Sequence, residues 1–302
     1  MNQKPVLVPR SLVRGDKVAF VAPAGIARAA DIFLAVRAIE QQGWKPVVMP
    51  HALGRCGSYS GSVEERLDDF ESALLDPEIR AIICARGGYG AIHLLDRLDR
   101  LPLRDDPKWL VGFSDISALH ALMNRHRIAS IHGPMAKYIA ADGGCNPDFM
   151  ALCRILRGEV PEYVIPGHPL NRVGSCEAPF AGGNMAVLGG LTGTPFDCFR
   201  PGMVLFIEDI AEPIYKIERQ LYQLRMSGIL PELSGLLVGA FTDYRPDANH
   251  ASMEQMIRQM VEDYDYPVAF GIPAGHGGRS LPLIGSVRVK LHVGKDKVLL
   301  KF

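Results

Sequence analysis

The stretch Trp109-Leu-Val-Gly-Phe-Ser-Asp-Ile-Ser117 decides how the first half of this chain folds. A short apolar run ends at Gly112 and a serine follows two residues later. Ile116, Leu119, Leu122 and Met123 then recur at helical spacing. Strand, tight turn with serine, helix is the sequence form of a nucleophile elbow. Such a turn lifts the hydroxyl above the sheet. The helix N-terminus behind it offers N–H groups and partial positive charge to a developing oxyanion. The general pattern is G-x-S-x-G, whereas this string reads G-F-S-D-I, with Ile116 in the last place. The same string also fits Ser114 or Asp115 as an ordinary helix cap.

Outward from the elbow, strand and helix patterns alternate. Residues 17–22, 46–49, 81–85, 109–112 and 128–131 read as strands, and 30–42, 64–75 and 91–98 as helices between them. This alternation predicts an α/β domain with a doubly wound, mostly parallel sheet. Ligands bind such sheets at the carboxyl ends of the strands. Three Gly- or Ser-marked loops lie at such ends: Pro23-Ala-Gly25, Arg86-Gly-Gly-Tyr-Gly90 and Gly112-Phe-Ser114. Residues 158–179 are rich in Gly and Pro and read as a linker or edge segments. Beyond them, strand-like runs at 203–207, 235–240, 287–291 and 297–301, with helices over 215–226 and 253–264, predict a smaller, more β-rich α/β domain. The expected division is 1–165 and 172–302, with a hairpin turn at 292–296.

Lys+Arg and Asp+Glu both number 33, so the chain lacks the basic excess of a nucleic-acid binder. No apolar run approaches the roughly 20 residues that span a bilayer, so no membrane partner is expected. The first ten residues contain no apolar core of a signal peptide. Six cysteines are scattered without C-x-x-C spacing, which predicts neither a disulfide framework nor a zinc site. The expectation is a cytoplasmic protein.

A serine nucleophile needs a base, and the base needs a carboxylate. His276, in Gly271-Ile-Pro-Ala-Gly-His-Gly-Gly278, sits where glycines allow close approach of a substrate. His132, at the end of a first-half strand, competes for the role, and His120 on the elbow helix reads as a packing or surface residue. The run Met203-Val-Leu-Phe-Ile-Glu-Asp209 ends a buried strand in two acids. Glu208 is the first choice for the carboxylate, with Asp209 in reserve and Glu212 in the next loop. Glu218 and Arg219 fit simple helical ion pairs. The N–H of Asp115 is the expected oxyanion donor, and the loop holding Gly87 and Gly88 suits a second. That loop has neither G-x-G-x-x-G nor a Walker lysine. Cys84 lies inside an apolar strand, a poor place for a nucleophile.

Together these pieces resemble the LD-carboxypeptidase family, the muramoyltetrapeptide carboxypeptidases. The resemblance is carried by Val21-Ala-Pro-Ala-Gly25, Arg86-Gly-Gly-Tyr-Gly90, Gly112-Phe-Ser-Asp115, Gly182-Gly-Asn184, Phe206-Ile-Glu-Asp209, Ile217-Glu-Arg219 and Gly275-His-Gly277. It implies a Ser-Glu-His triad, which falls on Ser114, Glu208 and His276. It also implies oxyanion donors from the backbone N–H groups of Asp115, Gly87 and Gly88, and no metal or other cofactor. Ile116 fits the family's Ser-Asp-x form. The implied activity is release of the terminal D-alanine from cytoplasmic murein tetrapeptide or its muropeptide forms during peptidoglycan recycling. The implied fold is a class I glutamine amidotransferase-like first domain with a smaller second domain, in a homodimer. Arg86, Tyr89 and Arg219 are candidates for holding substrate. Two alternatives stand beside it: a microcin-immunity-type serine peptidase cutting an acyl-adenylate-like substrate, and a non-catalytic small-ligand-binding α/β protein.

Overall fold

The computed structural model describes residues 4–302. By compactness the described residues divide into two units: those up to Glu159 with Leu281–Gly285, and Val160–Ser280 with Ser286–Phe302.

The first unit begins β1 (Lys17–Val21), α1 (Ala29–Gln41), β2 (Lys45–Val48), α2 (Val63–Leu75), β3 (Ile79–Cys84) and α3 (Leu95–Leu98). It continues through β4 (Trp109–Gly112), α4 (Ser117–Arg125), β5 (Ser130–His132), α5 (Ala136–Ala140) and α6 (Pro147–Leu156). The second unit opens with β6 (Glu162–Pro166), β7 (Gly174–Asn184), α7 (Met185–Gly189), β8 (Val204–Ile210) and α8 (Ile214–Met226). Then come β9 (Gly235–Thr242), α9 (Met253–Met260) and β10 (Val268–Ala269). β11 (Leu283–Gly285) belongs again to the first unit, and β12 (Arg288–Val293) and β13 (Lys297–Lys301) of the second close the chain.

The sheet of the first unit has the order β11-β5-β4-β3-β1-β2. All pairs are parallel except β11 on β5. The order β2-β1-β3-β4-β5 is a doubly wound one, whose direction of winding switches between β1 and β3. The central strands read as unbroken apolar runs because helices cover both faces. Val18, Phe20, Ile82 and Ile83 are wholly buried. α2 starts where the Ser62 side chain accepts from Glu65 N and Glu65 answers on Ser62 N, a reciprocal cap. The helix expected over 91–98 is a 3₁₀ turn at Ala91–Leu94 that runs into α3.

The second sheet has the order β10-β9-β8-β7-β12-β13-β6. Its β10-β9-β8-β7 half is parallel and its β7-β12-β13-β6 half antiparallel. The protein is thus a mixed α/β protein with two sheets. Of the linker or edge segments expected at 158–179, the edge reading holds for β6, the last strand of the sheet, and the linker reading does not. The stretch contains β6 and the start of the 11-residue β7, which lies mid-sheet between β8 and β12. Gly182 of β7 is a packing device rather than a turn signal. A Cβ on Gly182 would lie 1.9 Å from the carbonyl oxygen of Phe206 in β8. Among the described residues, no helix is long and apolar enough to cross a membrane.

Candidate active site

Ser114 follows β4 and opens a 3₁₀ turn, Ser114–Ile116, that leads into α4. Its φ is +65°, in the left-handed region that side-chain-bearing residues seldom occupy. Backbone of this kind costs on the order of 1–3 kcal/mol and persists where the surroundings enforce it. Ser114 is half-buried, whereas the residues on either side of it are buried. Gly112 explains why isoleucine is tolerated at 116: a Cβ on Gly112 would fall 3.0 Å from both Ile116 Cγ atoms. The small residue precedes the serine, and the bulky one folds over it. His120 ties α4 back to the strand end, with Nε2 2.9 Å from Gly112 O and Nδ1 2.8 Å from Ser130 Oγ. A carbonyl only accepts, so Nε2 carries the proton. Burial pushes its pKa down to about 4, so the ring is neutral and structural.

The loop after β3 packs directly on the serine. A Cβ on Gly87 would lie 2.7 Å from Ser114 Cβ, 2.8 Å from Oγ and 3.4 Å from Asp115 N. No other residue fits there without moving the nucleophile. Gly25 N donates to Gly87 O at 3.0 Å, joining the loops that follow β1 and β3. Gly88 is left-handed at φ +120°. The Asp115 side chain is no cap for its own helix, because Oδ2 accepts from Ala91 N at 2.8 Å. Burial raises its carboxyl pKa, opposed by that hydrogen bond and by His93 and Arg66.

Arg66, which the sequence reading passed over, is 2% exposed. Its Nη1 donates to Pro23 O at 2.7 Å and to Gly90 O at 2.8 Å, and its guanidinium lies 5.0 Å from the centre of the Tyr59 ring. Tyr59, Tyr89 and His93 form an aromatic cluster with ring centres 5.4–6.0 Å apart. Tyr89 is exposed on the glycine loop. Arg86 is exposed and donates to Ile26 O at 3.0 Å. His132 is buried against the Phe113 ring, 5.6 Å between centres. Cys84 is fully buried and its thiol pKa is pushed far up by desolvation, which removes it as a nucleophile.

In the second unit, Glu208 sits near the end of β8 and is wholly buried. Its Oε2 accepts from His276 Nδ1 at 2.6 Å and from His276 N at 3.2 Å. This places the proton on Nδ1 and the ring's lone pair on Nε2, the tautomer a general base requires. The histidine loop is fixed from β9: Ala240 N donates to Ala274 O at 3.0 Å and Thr242 Oγ1 to His276 O at 3.1 Å. Gly275, at φ +97°, lies so close that a Cβ would fall 2.5 Å from Glu208 Oε2. Gly275→Ala is therefore expected to push the histidine off its carboxylate. It should lower the melting temperature by several degrees, on the order of 1–3 kcal/mol for a strained backbone. Thermal unfolding measures that loss, and the His276 ring signals by NMR report the displacement.

Asp209 does not share this role. Its Oδ1 accepts from Asn184 Nδ2 and Ile210 N, and its Oδ2 from Ala186 N, all at 2.8 Å. It anchors the start of α7, where Asn184 also caps Val187 N. Burial raises its pKa from 3.8 to about 6. The native state then binds more protons than the unfolded chain between those values. The group's contribution to stability is full below about pH 4 and is lost as pH rises through 6. Urea unfolding of the wild type and Asp209→Ala at pH 4.5 and 7 should show their stability difference shrinking at the higher pH. A pH-independent difference would contradict the assignment.

Glu212 pairs with Lys216 at 3.1 Å, an ordinary ion pair, and Glu218 Oε1 lies 3.7 Å from His250 Nε2. Arg219 is exposed on α8 over the Tyr215 ring, 5.4 Å from its centre. Among the described residues one group has the spacing of metal ligands: His51, Asp68 and Asp69, with ligand atoms within 4.8 Å of one another. There Asp69 is already engaged by the ring and backbone N–H of His51.

Comparison with known proteins matches both halves. A family model described as the LD-carboxypeptidase N-terminal domain matches residues 18–133, and one described as the LD-carboxypeptidase C-terminal domain matches residues 177–291. The murein tetrapeptide carboxypeptidase of Pseudomonas aeruginosa is 34% identical over 279 residues, covering 87% of this chain and 89% of the relative. The probable murein peptide carboxypeptidase of Bacillus subtilis is 31% identical over 281 residues, covering 90% and 88%. The crystal structure of muramoyltetrapeptide carboxypeptidase from Oxalobacter formigenes superposes with a TM-score of 0.85 at 26% identity, covering 94% and 98%. The microcin C7 self-immunity protein MccF superposes with a TM-score of 0.85 at 20% identity, covering 99% of each chain, a likeness of fold alone. The chain belongs to the LD-carboxypeptidase family and is a serine-type carboxypeptidase.

Proposed function

We propose that this carboxypeptidase releases the terminal D-alanine of murein tetrapeptide by an acyl-enzyme route, with Ser114 as nucleophile, His276 as base and Glu208 as its orienting carboxylate. The observation that carries the assignment is the 2.6 Å contact between His276 Nδ1 and the buried Oε2 of Glu208. A buried carboxylate holds the tautomer and stabilises the imidazolium with little screening by water. The strained turn at Ser114 supports the nucleophile's part. His276 takes the hydroxyl proton as Ser114 Oγ attacks the penultimate carbonyl. The oxyanion is met by the N–H groups of Asp115 and of the loop at Gly87 and Gly88, each donor worth roughly 3 kcal/mol in the transition state. D-Alanine leaves with the proton from His276, and water then hydrolyses the ester with His276 again as base.

An exopeptidase must also bind the free terminal carboxylate. Arg86 and Arg219 are the cations we propose for it, with Tyr89, exposed on the glycine loop, as a further substrate contact. We also place the enzyme in the bacterial cytoplasm, as a homodimer, with a first unit of the class I glutamine amidotransferase type. The names of the relatives and the resemblance carried by the motifs support the substrate. The test is digestion of L,D- and D,D-linked peptides and of an acyl-sulfamoyl adenylate, followed by mass spectrometry. D-Alanine released from the L,D-linked tetrapeptide alone is the expected result. Cleavage of the adenylate with the tetrapeptide left intact would favour the immunity-type peptidase.

A further inference from the structure

The peptide unit that joins Gly90 to Ala91 is held at both ends by opposite charges. Its carbonyl oxygen accepts from Arg66 Nη1 at 2.8 Å, and its N–H donates to Asp115 Oδ2 at 2.8 Å. Both side chains are buried, Arg66 at 2% and Asp115 at 4% exposure. Charge-assisted bonds of this kind are about twice as strong as neutral ones. Opening the loop would leave a buried cation and a buried anion each short of a partner, which is costly. The same Nη1 also holds Pro23 O at 2.7 Å, and Gly25 N reaches Gly87 O at 3.0 Å. The loops after β1 and β3 and the elbow after β4 are thereby closed into one ring of contacts. Glycine at 90 is part of the device. Its φ is +119°, and a Cβ there would fall 2.8 Å from Arg66 Nη1 and 3.0 Å from the Tyr59 ring.

We infer that the Asp115 carboxylate and the Arg66 guanidinium are positioning residues, which clamp the Gly90–Ala91 peptide and thereby fix Gly87 and Gly88 against Ser114. Asp115 then acts twice. Its backbone N–H belongs to the oxyanion site, and its side chain locks the loop that carries the second donor. Every substitution at 115 but proline keeps the N–H, so a variant isolates the side chain. The catalytic consequence rests on the serine-peptidase assignment above, whereas the clamp does not.

The experiment compares the wild type with Asp115→Ala and Asp115→Asn, the latter keeping an oxygen that can accept from Ala91 N. Hydrogen exchange of the Ala91 amide by NMR should quicken at least about tenfold in Asp115→Ala and return most of the way in Asp115→Asn. The rate of Ser114 acylation by a fluorophosphonate, and kcat on tetrapeptide, should fall about 30- to 100-fold in Asp115→Ala with KM changed less than about threefold, since displacement by an ångström costs rates of that order. Asp115→Asn should recover most of that loss. Unchanged exchange at Ala91 overturns the clamp whatever the enzyme cleaves. Faster exchange with unchanged acylation and kcat overturns the positioning role. If Asp115→Ala does not fold, slow exchange at Ala91 in the wild type, with exchange and kcat close to wild type in Asp115→Asn, supports the clamp, and fast wild-type exchange overturns it. Failure of the wild type to react with the probe or release D-alanine counts against the serine assignment alone.

Discussion

Ser114→Ala is expected to lower D-alanine release from murein tetrapeptide by at least about 10⁴-fold, since removal of a serine nucleophile leaves only the oxyanion site and binding. The fold should survive. Alanine differs from serine by one oxygen, and the left-handed backbone at +65° is strained for both. The variant should unfold within a few degrees of the wild type, bind tetrapeptide with little change and lose all labelling by fluorophosphonates. Loss of turnover together with loss of folding would be a different result, and circular dichroism separates the two.

Glu208→Gln is expected to lower kcat about 10³- to 10⁴-fold, the size seen when a triad carboxylate becomes an amide. Oε2 accepts two N–H bonds from one residue, the ring Nδ1 at 2.6 Å and the backbone N at 3.2 Å. An amide there either turns its NH₂ toward two donors or keeps its oxygen and loses the charge. In the first case the ring rotates or changes tautomer, and Nε2 ceases to be a base. In the second the imidazolium formed in the transition state has no buried counter-charge. Steady-state kinetics with the tetrapeptide reads the loss. A Glu208→Gln variant within tenfold of wild-type kcat would remove Glu208 from the mechanism.

Much of the molecule is legible in the chain before any coordinates. Ser114 stands out because a strand, a turn and a helix must follow one another within nine residues. Glu208 stands out because it ends an apolar strand, and His276 because glycines surround it. Other features are hidden for physical reasons. β7 is masked by Pro179, Gly182 and Gly183, residues that usually mark turns, yet Pro179 pairs with Arg288 of β12 and Gly182 lets Phe206 of β8 approach closely. β11 pairs with β5 in the first sheet although about 150 residues of chain, 133–282, lie between them. Local pattern says nothing about such a return. Arg66 looks like a solvated charge, yet Arg66, Asp69, Phe70 and Ala73 share the i, i+3, i+4, i+7 face of α2, and all four are buried. Two charges on an apolar stripe were the available signal that this helix holds more than a core. Whether Asp209 or Glu208 faces the histidine depends on the alternation of side chains along β8, which a strand of uncertain start cannot fix.

The central claim is that Ser114 carries the acyl group of a cleaved L,D-linked tetrapeptide. Acid-quenching the enzyme within the first turnovers and mapping the peptides by mass spectrometry tests it most directly. The account predicts a tripeptidyl adduct on the peptide containing Ser114, free D-alanine in the supernatant, and neither with Ser114→Ala. An adduct on any other residue, or wild-type release of D-alanine by Ser114→Ala, would contradict it.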